Sequence, residues 1–348
     1  MTFSCAKGAS SPMSRRPCCP SQDKQVSLVP LGSRVPFVFL SLLFLLTLLG
    51  AGCARQESQP ARVGRTTPFQ FSDDLQRRVL LTKRAERVVA LSSSFAQTWL
   101  LAGGVLIGVT SDAFSREALG IGEEVALIGT IKDPNSEAIL ALEPDFVLLS
   151  ADIPSHLALS ALLTECSIPH AYFHVETLDD YLAMLSRLTT LTGEEELFKK
   201  NGLDVHQSCT EVLAGHTKGE SQSEGETYLL LRAYSTKVRA KGGDTMVGEM
   251  LRQFGYTNLT ELHPSLLEEL GIETILKEDP THIFVIPMGD ERSAKASMEH
   301  MLTSNPAFKA LGAVKDGRYH LLPKDLFHYK PNNRWEESYA YLAHLLSQ

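Results

Sequence analysis

The chain has 348 residues, of which 43% are hydrophobic and 21% are charged, so its length allows two medium-sized domains and its composition predicts that most of it folds. The formal net charge is −8 at pH 7, which argues against a nucleic-acid-binding protein.

The N-terminal 52 residues predict an export signal rather than part of the fold. Basic residues precede the apolar run Val35–Leu49, which has the length of a signal-peptide core and is short for a membrane span. Cys53 follows in the sequence GAGC, which resembles a bacterial lipobox whose leucine stands one position early. We predict that Cys53 is lipidated and that residues 53–66 form a tether. An ordinary signal peptide or an uncleaved anchor is the alternative.

Strands and helices alternate over residues 68–177. The first sixteen of these residues predict a hairpin, through their alternating pattern and an Asp-Asp turn. Short apolar strands are then predicted at 87–92, 106–110, 145–150 and 170–174. Helices are predicted to begin at Ser94, at Pro134–Asn135 and at Ser155. This alternation predicts a parallel sheet with helices on both faces.

A helical tract over residues 178–216 is predicted to lead into a second α/β region. The tract should be broken near Gly193 and at Asn201–Gly202, where helix-breaking residues occur. Beyond it, a helix capped by Asp244 is predicted, and strands are predicted at 228–233, 282–287 and 318–322.

The last predicted helix begins at Asn333, whose side chain could cap it together with Glu336. Trp335 and Tyr339 share one face of this helix with other apolar residues, so we assign both rings to the core.

Two cysteines, Cys166 and Cys209, lie beyond Cys53. They allow one disulfide at most, and their spacing is not that of a metal-binding motif. We expect each of them to be buried as a small apolar residue.

The order of several sequence blocks resembles that of the substrate-binding proteins of ABC importers for iron–siderophore complexes, haem and cobalamin. The resemblance covers residues 67–348 and is carried by DDLQRRVLLTKRAERVVALS, LAGGVLIGVT, PNSEAILALEPDFVLLS, GGDTMVGEMLRQFG and the C-terminal NPAFKALGAVKDGRYHLLPKDLFHYKPNNRW. It implies an α/β fold with two Rossmann-like lobes, residues 67–177 and 217–348, each built on a mostly parallel sheet. One long helix, residues 178–216, joins the lobes, and a ligand binds in the cleft between them.

The candidate ligand-binding residues follow predicted strands, because open α/β sheets bind ligands at the carboxyl ends of their strands. Basic side chains beside aromatic rings suit a large anion. The histidines among them are candidate metal ligands, although a lone histidine at a strand end is more often a hydrogen-bonded residue of the cavity wall. The candidates are Ser94, Phe95, Asp112, Phe114, Asp152, His174, Arg232, Tyr234, Lys237, Arg239, Phe327, His328, Tyr329 and Lys330.

The sequence contains no nucleophile elbow, zinc-protease motif or Walker A loop, so we predict no catalytic residues, no cofactor and no enzymatic activity. The predicted function is capture of an anionic ferric siderophore by an exported, membrane-anchored monomer, which delivers it to a permease powered by a separate ATPase. Haem and cobalamin are alternative ligands. A two-lobed enzyme acting on a sugar nucleotide and a structural surface lipoprotein are the rival classes.

The resemblance also implies that Glu137 and Glu249, one in each lobe, dock with arginines of the permease. Each glutamate lies early in a predicted helix, where a carboxylate also favours the helix dipole. The dipole would explain either residue singly, but it does not explain why the two occupy similar places in the two lobes.

If Cys53 is lipidated, a Cys53→Ala variant should leave the membrane fraction, because stable anchoring requires more than one acyl chain. Fractionation of cells and mass spectrometry of the N-terminal peptide measure this. Unchanged membrane association, with no lipid mass on the wild-type peptide, would contradict the prediction.

Overall fold

The computed structural model describes residues 68–116, 119–217, 225–304 and 306–348, which all belong to one compact unit. The predicted export signal, Cys53 and the tether lie outside these residues. Among the described helices, none combines the length and the apolar character needed to span a bilayer.

The first half of the described chain alternates strands and helices, as predicted. Its elements are β1 (Phe69–Ser72), β2 (Arg78–Leu81), β3 (Val88–Ala90), α1 (Ser93–Leu101), β4 (Leu106–Val109), α2 (Ser111–Phe114), β5 (Ala126–Leu127), β6 (Gly129–Thr130), β7 (Asp133–Pro134), α3 (Ser136–Ala141), β8 (Phe146–Ser150), α4 (Pro154–Ala158), α5 (Ser160–Glu165) and β9 (His170–Phe173). Strands β5-β4-β3-β8-β9 form a parallel sheet in that order, which we call the N-terminal sheet.

The predicted hairpin is confirmed as the antiparallel pair β1-β2. A buried carboxylate attaches its turn to the N-terminal sheet. Asp73 accepts hydrogen bonds from the Arg77 guanidinium at 2.9 Å and from the backbone N–H of Tyr172 at 3.1 Å. Because Tyr172 lies on the edge strand β9, the turn covers that edge.

The predicted helical tract consists of α6 (Leu178–Thr192), α7 (Glu195–Phe198), a π-helical turn at Lys199–Leu203 and α8 (Asp204–Thr217). The break at Gly193 is confirmed, since this residue ends α6 with φ of 75°. The predicted break at Asn201–Gly202 is wrong, because the chain widens there instead of stopping. The Asn201 side chain donates to the Leu101 carbonyl at 2.8 Å, which offers the widened turn a partner outside the helix.

The second half contains β10 (Thr227–Ala233), β11 (Val238–Lys241), α9 (Met246–Gln253), β12 (Thr257–Asn258), α10 (Leu259–Leu262), α11 (Ile272–Glu278), β13 (His282–Pro287), α12 (Glu291–Ser304), α13 (Pro306–Ala310), α14 (Gly312–Lys315), β14 (Tyr319–Leu321), α15 (Lys324–Phe327) and α16 (Trp335–Leu346), with 3-10 turns at Pro264–Leu267 and Asn332–Arg334. Strands β11-β10-β13-β14 form the C-terminal sheet, and β12 also pairs with β10. Only β11 is antiparallel to its neighbour among these described strands.

Strand β11 was not predicted, since no strand was expected between residues 233 and 282. The chain instead turns back at Tyr234–Lys237 and forms a hairpin. Arg232 and Arg239 are direct cross-strand partners in it. Arg232, in a predicted strand, and Arg239, beyond it, therefore lie on neighbouring strands.

Three predicted helix caps are wrong: two are displaced by one or two residues, and one is absent. Ser92, not Ser94, caps α1, and Thr245, not Asp244, caps α9. No side chain caps α16, because the 3-10 turn ending at Arg334 leads directly into the helix at Trp335, so the predicted Asn333 cap is absent. The alternatives lie so close in the sequence that local pattern alone does not separate them.

The predicted core face of α16 is confirmed. Trp335 and Tyr339 are each 1% exposed, and the helix packs against α8. Cys209 is buried as expected, whereas Cys166 is exposed and its predicted burial is wrong. Both cysteines are free, since Cys166 ends α5 at the surface while Cys209 lies within α8.

A pair of buried histidines lies at the amino ends of two adjacent strands of the C-terminal sheet. The Nδ1 atom of His282 is 3.2 Å from Nε2 of His320, and the His282 ring packs between Tyr256 and Phe284. Burial, and then the neighbouring His320 and Arg318, lower the pKa of His282 to about 4. The imidazole therefore stays neutral in the folded protein where it would take up a proton in the unfolded chain.

This pair should make the protein sensitive to acid. Between its ordinary pKa of 6.5 and about 4, His282 binds a proton only when the chain unfolds, so stability falls as pH falls. At 1.36 kcal/mol per pH unit, this group should account for a loss of about 2 kcal/mol between pH 7 and pH 5. Urea unfolding at both pH values should show a smaller loss for His282→Phe. Equal losses in wild type and variant would contradict the assignment.

Candidate functional site

A cavity of about 690 Å³ opens between the carboxyl ends of the two sheets. Residues that follow β3, β4, β8 and β9 form one wall, and residues that follow β10, β13 and β14 form the other. This is the position at which open α/β sheets bind ligands. The residues that line this central cavity are Ser92, Ser93, Ser94, Phe95, Asp112, Ile131, Lys132, Ser150, Asp152, Ile153, Val175, Tyr234, Ser235, Thr236, Lys237, Met288, Gly289, His328, Tyr329 and Lys330.

Nine of the fourteen candidate ligand-binding residues line the central cavity. They were predicted because they follow predicted strands, and the order in which the strands pair in each sheet was not needed. Their ligand-binding role stays a prediction. The nine are Ser94, Phe95, Asp112, Asp152, Tyr234, Lys237, His328, Tyr329 and Lys330.

The other five candidates lie outside the lining. Phe327 is 2% exposed and packs against the Tyr341 ring in the core. Phe114 is 41% exposed at the end of α2. His174 does not line the cavity, but its Nδ1 atom lies 2.7 Å from the carboxylate of the cavity residue Asp152.

The two arginines of the β10-β11 hairpin also lie outside the lining. Arg239 faces a separate small hollow formed with residues Leu266–Leu270. Arg232 is partly buried, and its charge acts on the neighbouring His328. The cations that reach the cavity are therefore lysines, and neither of the two candidate arginines is among them.

Both carboxylates in the lining already accept hydrogen bonds from the N-terminal half of the chain. Asp112 accepts from the backbone N–H of Ser93 at 2.7 Å and from the Thr110 hydroxyl at 2.6 Å. Asp152 is engaged by His174. The Asp112 carboxylate directs its negative charge toward protein donors and holds the wall in shape, whereas the Asp152 side chain stays 50% exposed.

His328 and Tyr329 bring two different kinds of ring to the cavity. Burial, and then the cations Lys324, Arg232 and Lys330, lower the pKa of His328 to about 4, so its imidazole is neutral at pH 7. The Tyr329 ring lies 4.9 Å from the Arg116 guanidinium carbon and 5.7 Å from the Lys324 ammonium. Two cations on this ring hold it through cation–π contacts.

Sequence reasoning missed several contributors to the site. Lys132 and Ile131 come from the turn between β6 and β7, whose two-residue strands are too short for a pattern to reveal. Arg116 supports Tyr329 from outside the lining, and burial lowers the pKa of its guanidinium. Met288 follows β13 directly, so the strand-end rule could have found it.

No group of three or more His, Cys, Asp or Glu side chains among the described residues is arranged to hold a metal ion. The docking candidates Glu137 and Glu249 both lie in the first turn of a helix. Glu137 is exposed. Glu249 accepts from the Arg252 guanidinium at 2.9 Å and from the Gln253 amide at 3.1 Å, so a permease arginine would compete with Arg252 for it.

The buried His156 connects two parts of the cavity wall. Its Nδ1 atom accepts the backbone N–H of Ser150 at 3.0 Å, and its Nε2 atom lies 2.8 Å from the Ile131 carbonyl oxygen. Both of these backbone partners line the cavity. Burial lowers the pKa of His156, which keeps the neutral form that can accept and donate at once.

We expect His156→Phe to lower the free energy of unfolding by about 3 kcal/mol, because it leaves a buried N–H and a buried carbonyl without partners. Urea unfolding at pH 7 measures this loss. His344→Phe, at an exposed position of α16, is the matched control and should change little. A loss no greater than that of the control would contradict the role of His156.

Comparison with known proteins gives consistent results. The family model described as "Periplasmic binding protein" matches residues 88–326. The Fe(3+)-citrate-binding protein YfmC of Bacillus subtilis is 23% identical over 294 residues, which cover 82% of this chain and 89% of that protein.

Two solved structures share the fold. Petrobactin-binding protein YclQ of Bacillus subtilis superposes with a TM-score of 0.62 at 18% identity, covering 80% of this chain and 97% of that one. Staphylococcus aureus IsdE, complexed with haem, gives a TM-score of 0.63 at 16% identity, covering 75% of this chain and 99% of that one.

Proposed function

This chain belongs to the periplasmic binding protein family, and we propose that it is the solute-binding component of an ABC importer for an iron chelate. It would capture the chelate in the central cavity and deliver it to a membrane permease, with ATP hydrolysed by a separate subunit. The observation that carries this proposal is the cavity of about 690 Å³, built from the strand ends of both sheets and lined by lysines and aromatic rings.

The charges in the cavity favour an anionic ferric chelate. Lys132, Lys237 and Lys330 contribute positive charge to the lining, while its two carboxylates, Asp112 and Asp152, accept hydrogen bonds from Ser93 and His174. The aromatic rings of the lining offer flat apolar area to a siderophore. Lysines act as point charges rather than as planar forks, so they suit a chelate whose negative charge is spread over many oxygens. The printed name of YfmC, a ferric-citrate-binding protein, supports the same class.

Haem is the second candidate, and one observation favours it. His328 is kept neutral in the cavity beside Tyr329, and neutral imidazole and tyrosine are side chains that bind haem iron. The structural likeness to the haem-complexed IsdE is compatible with this alternative. Direct ligation of a siderophore-bound iron by His328 would use the same geometry.

The remaining parts of the proposal concern the partners of the protein. Lipidation at Cys53 would hold the monomer on the outer side of the cell membrane. Glu137 and Glu249 would then present one carboxylate from each half of the fold to the permease. The named relatives are binding proteins rather than enzymes, and the predicted lobe boundaries at residues 177 and 216 remain part of the proposal.

The decisive experiment is a calorimetric titration of residues 54–348 with a ferric tris-catecholate, ferric citrate, haemin and cobalamin. We expect an anionic ferric chelate to bind most tightly. Lys237→Ala should weaken that binding by about 1 kcal/mol, because it removes a charge from the rim of the cavity.

Arg239→Ala is the matched control, since it removes the same charge from the same hairpin outside the cavity. It should leave affinity nearly unchanged. Absence of binding to every chelate would refute the proposed function. Equal losses in the two variants would mean that the ligand occupies another surface.

A further inference from the structure

Lys330 differs from the other two lysines of the central cavity. Its Nζ atom lies 2.8 Å from Oε1 of Glu176, and both side chains are mostly buried, with 22% and 25% exposure respectively. Lys132 and Lys237 are exposed, and neither forms an ion pair with another described residue. One of the three positive charges in the lining is therefore already neutralised.

Glu176 is fixed in place from a second direction. Its Oε2 atom accepts the backbone N–H of Met246 at 2.9 Å, and Met246 is the first residue of α9. The carboxylate thus receives a hydrogen bond at a helix N-terminus while it pairs with the ammonium group. It follows β9 of the N-terminal sheet but is held by two residues of the second half, so it cannot swing away without losing both contacts.

The backbone of Lys330 is equally constrained. Its N–H donates to the Ser94 hydroxyl at 3.3 Å. Two residues later, the Asn332 side chain donates to the Ser94 carbonyl at 3.0 Å and to the Gln97 amide oxygen at 2.8 Å. Because the main chain is anchored on α1 and Glu176 occupies one of the three N–H donors of the ammonium group, an anion that reaches Lys330 shares this ammonium with the carboxylate.

We propose that Glu176 is a specificity-determining residue of the central cavity, which limits how strongly the site favours highly charged anionic chelates. The inference rests on the proposed function. A bound anion must compete with Glu176 for Lys330 and is repelled by the carboxylate at the same time. An uncharged chelate is neither repelled by Glu176 nor in competition with it for Lys330. The ion pair therefore shifts the relative affinities of the site toward ferric chelates of lower charge. A partly buried pair is only weakly screened by salt, which makes the effect persist at ordinary ionic strength.

The test compares two ferric chelates of similar size, a tris-catecholate trianion and an uncharged tris-hydroxamate. Their affinities are measured by calorimetry on the full-length chain, purified in detergent. Glu176→Gln retains an oxygen that can accept from Met246 but removes the charge. It should raise affinity for the trianion by about fivefold to tenfold and change affinity for the uncharged chelate by less than about twofold.

Two further variants make the result specific. Glu195→Gln removes one carboxylate from an exposed position in α7 and should leave the ratio of the two affinities unchanged. Lys330→Gln should cost more affinity for the trianion in the Glu176→Gln background than in wild type, because Glu176 no longer neutralises the ammonium charge there. A purely structural role of Glu176 would not produce this coupling.

An unchanged or lower affinity ratio in Glu176→Gln, in a protein whose wild type binds the trianion, would overturn this inference and leave the proposed function standing. If wild type binds neither chelate nor any other ferric complex, the proposed function and the inference both fail.

Discussion

The central cavity depends on one buried side chain, that of Asn332. This residue is 1% exposed and has a φ of 54°, a left-handed conformation that asparagine tolerates better than most residues. Its amide group donates to two oxygens of α1 and accepts from the Thr98 hydroxyl at 3.3 Å. Through these bonds, the segment that follows the C-terminal sheet is attached to the first helix of the N-terminal sheet. The cavity residues His328–Lys330 hold their positions against the opposite wall because this attachment exists.

The polar groups around the cavity differ by residue type in their charge and in their partners. Carboxylates near the wall have partners in the protein: Asp112 accepts from Ser93 and Thr110, Asp152 is engaged by His174, and Glu176 pairs with Lys330. The buried histidines are neutral, because burial opposes a charge on His156 and on His328. The positive charges of the lining belong to lysine side chains, of which Lys132 and Lys237 are exposed and Lys330 is paired with Glu176. Such a site attracts an anion without forming one fixed hydrogen-bonding pattern.

The sequence predicted most of the fold, because buried parallel strands leave a strong signal. The apolar runs at β3, β8 and β13 stand out against their surroundings, and the rule that strand ends form the site follows from their direction. Short-range features were less predictable. The cap of α1 depends on which of three consecutive serines begins the helix, and the outcome involves Ser94 bonding to the distant Lys330. Likewise, Arg239 lies outside the cavity because β11 pairs with β10, and the local sequence around Arg239 did not predict this pairing.

The two free cysteines of the described chain differ in the reactivity of their thiols. Cys209 is 1% exposed, and burial raises the pKa of its thiol to about 12, so the reactive thiolate does not form. Cys166 is exposed at the end of α5, and an unpaired thiol at the surface of an exported protein is open to air oxidation and to disulfide exchange. In an oxidising medium, two copies of the chain can thus become covalently linked through Cys166 while their folds stay unchanged. Protein purified without a reductant would then contain a disulfide-linked dimer that forms without a noncovalent interface.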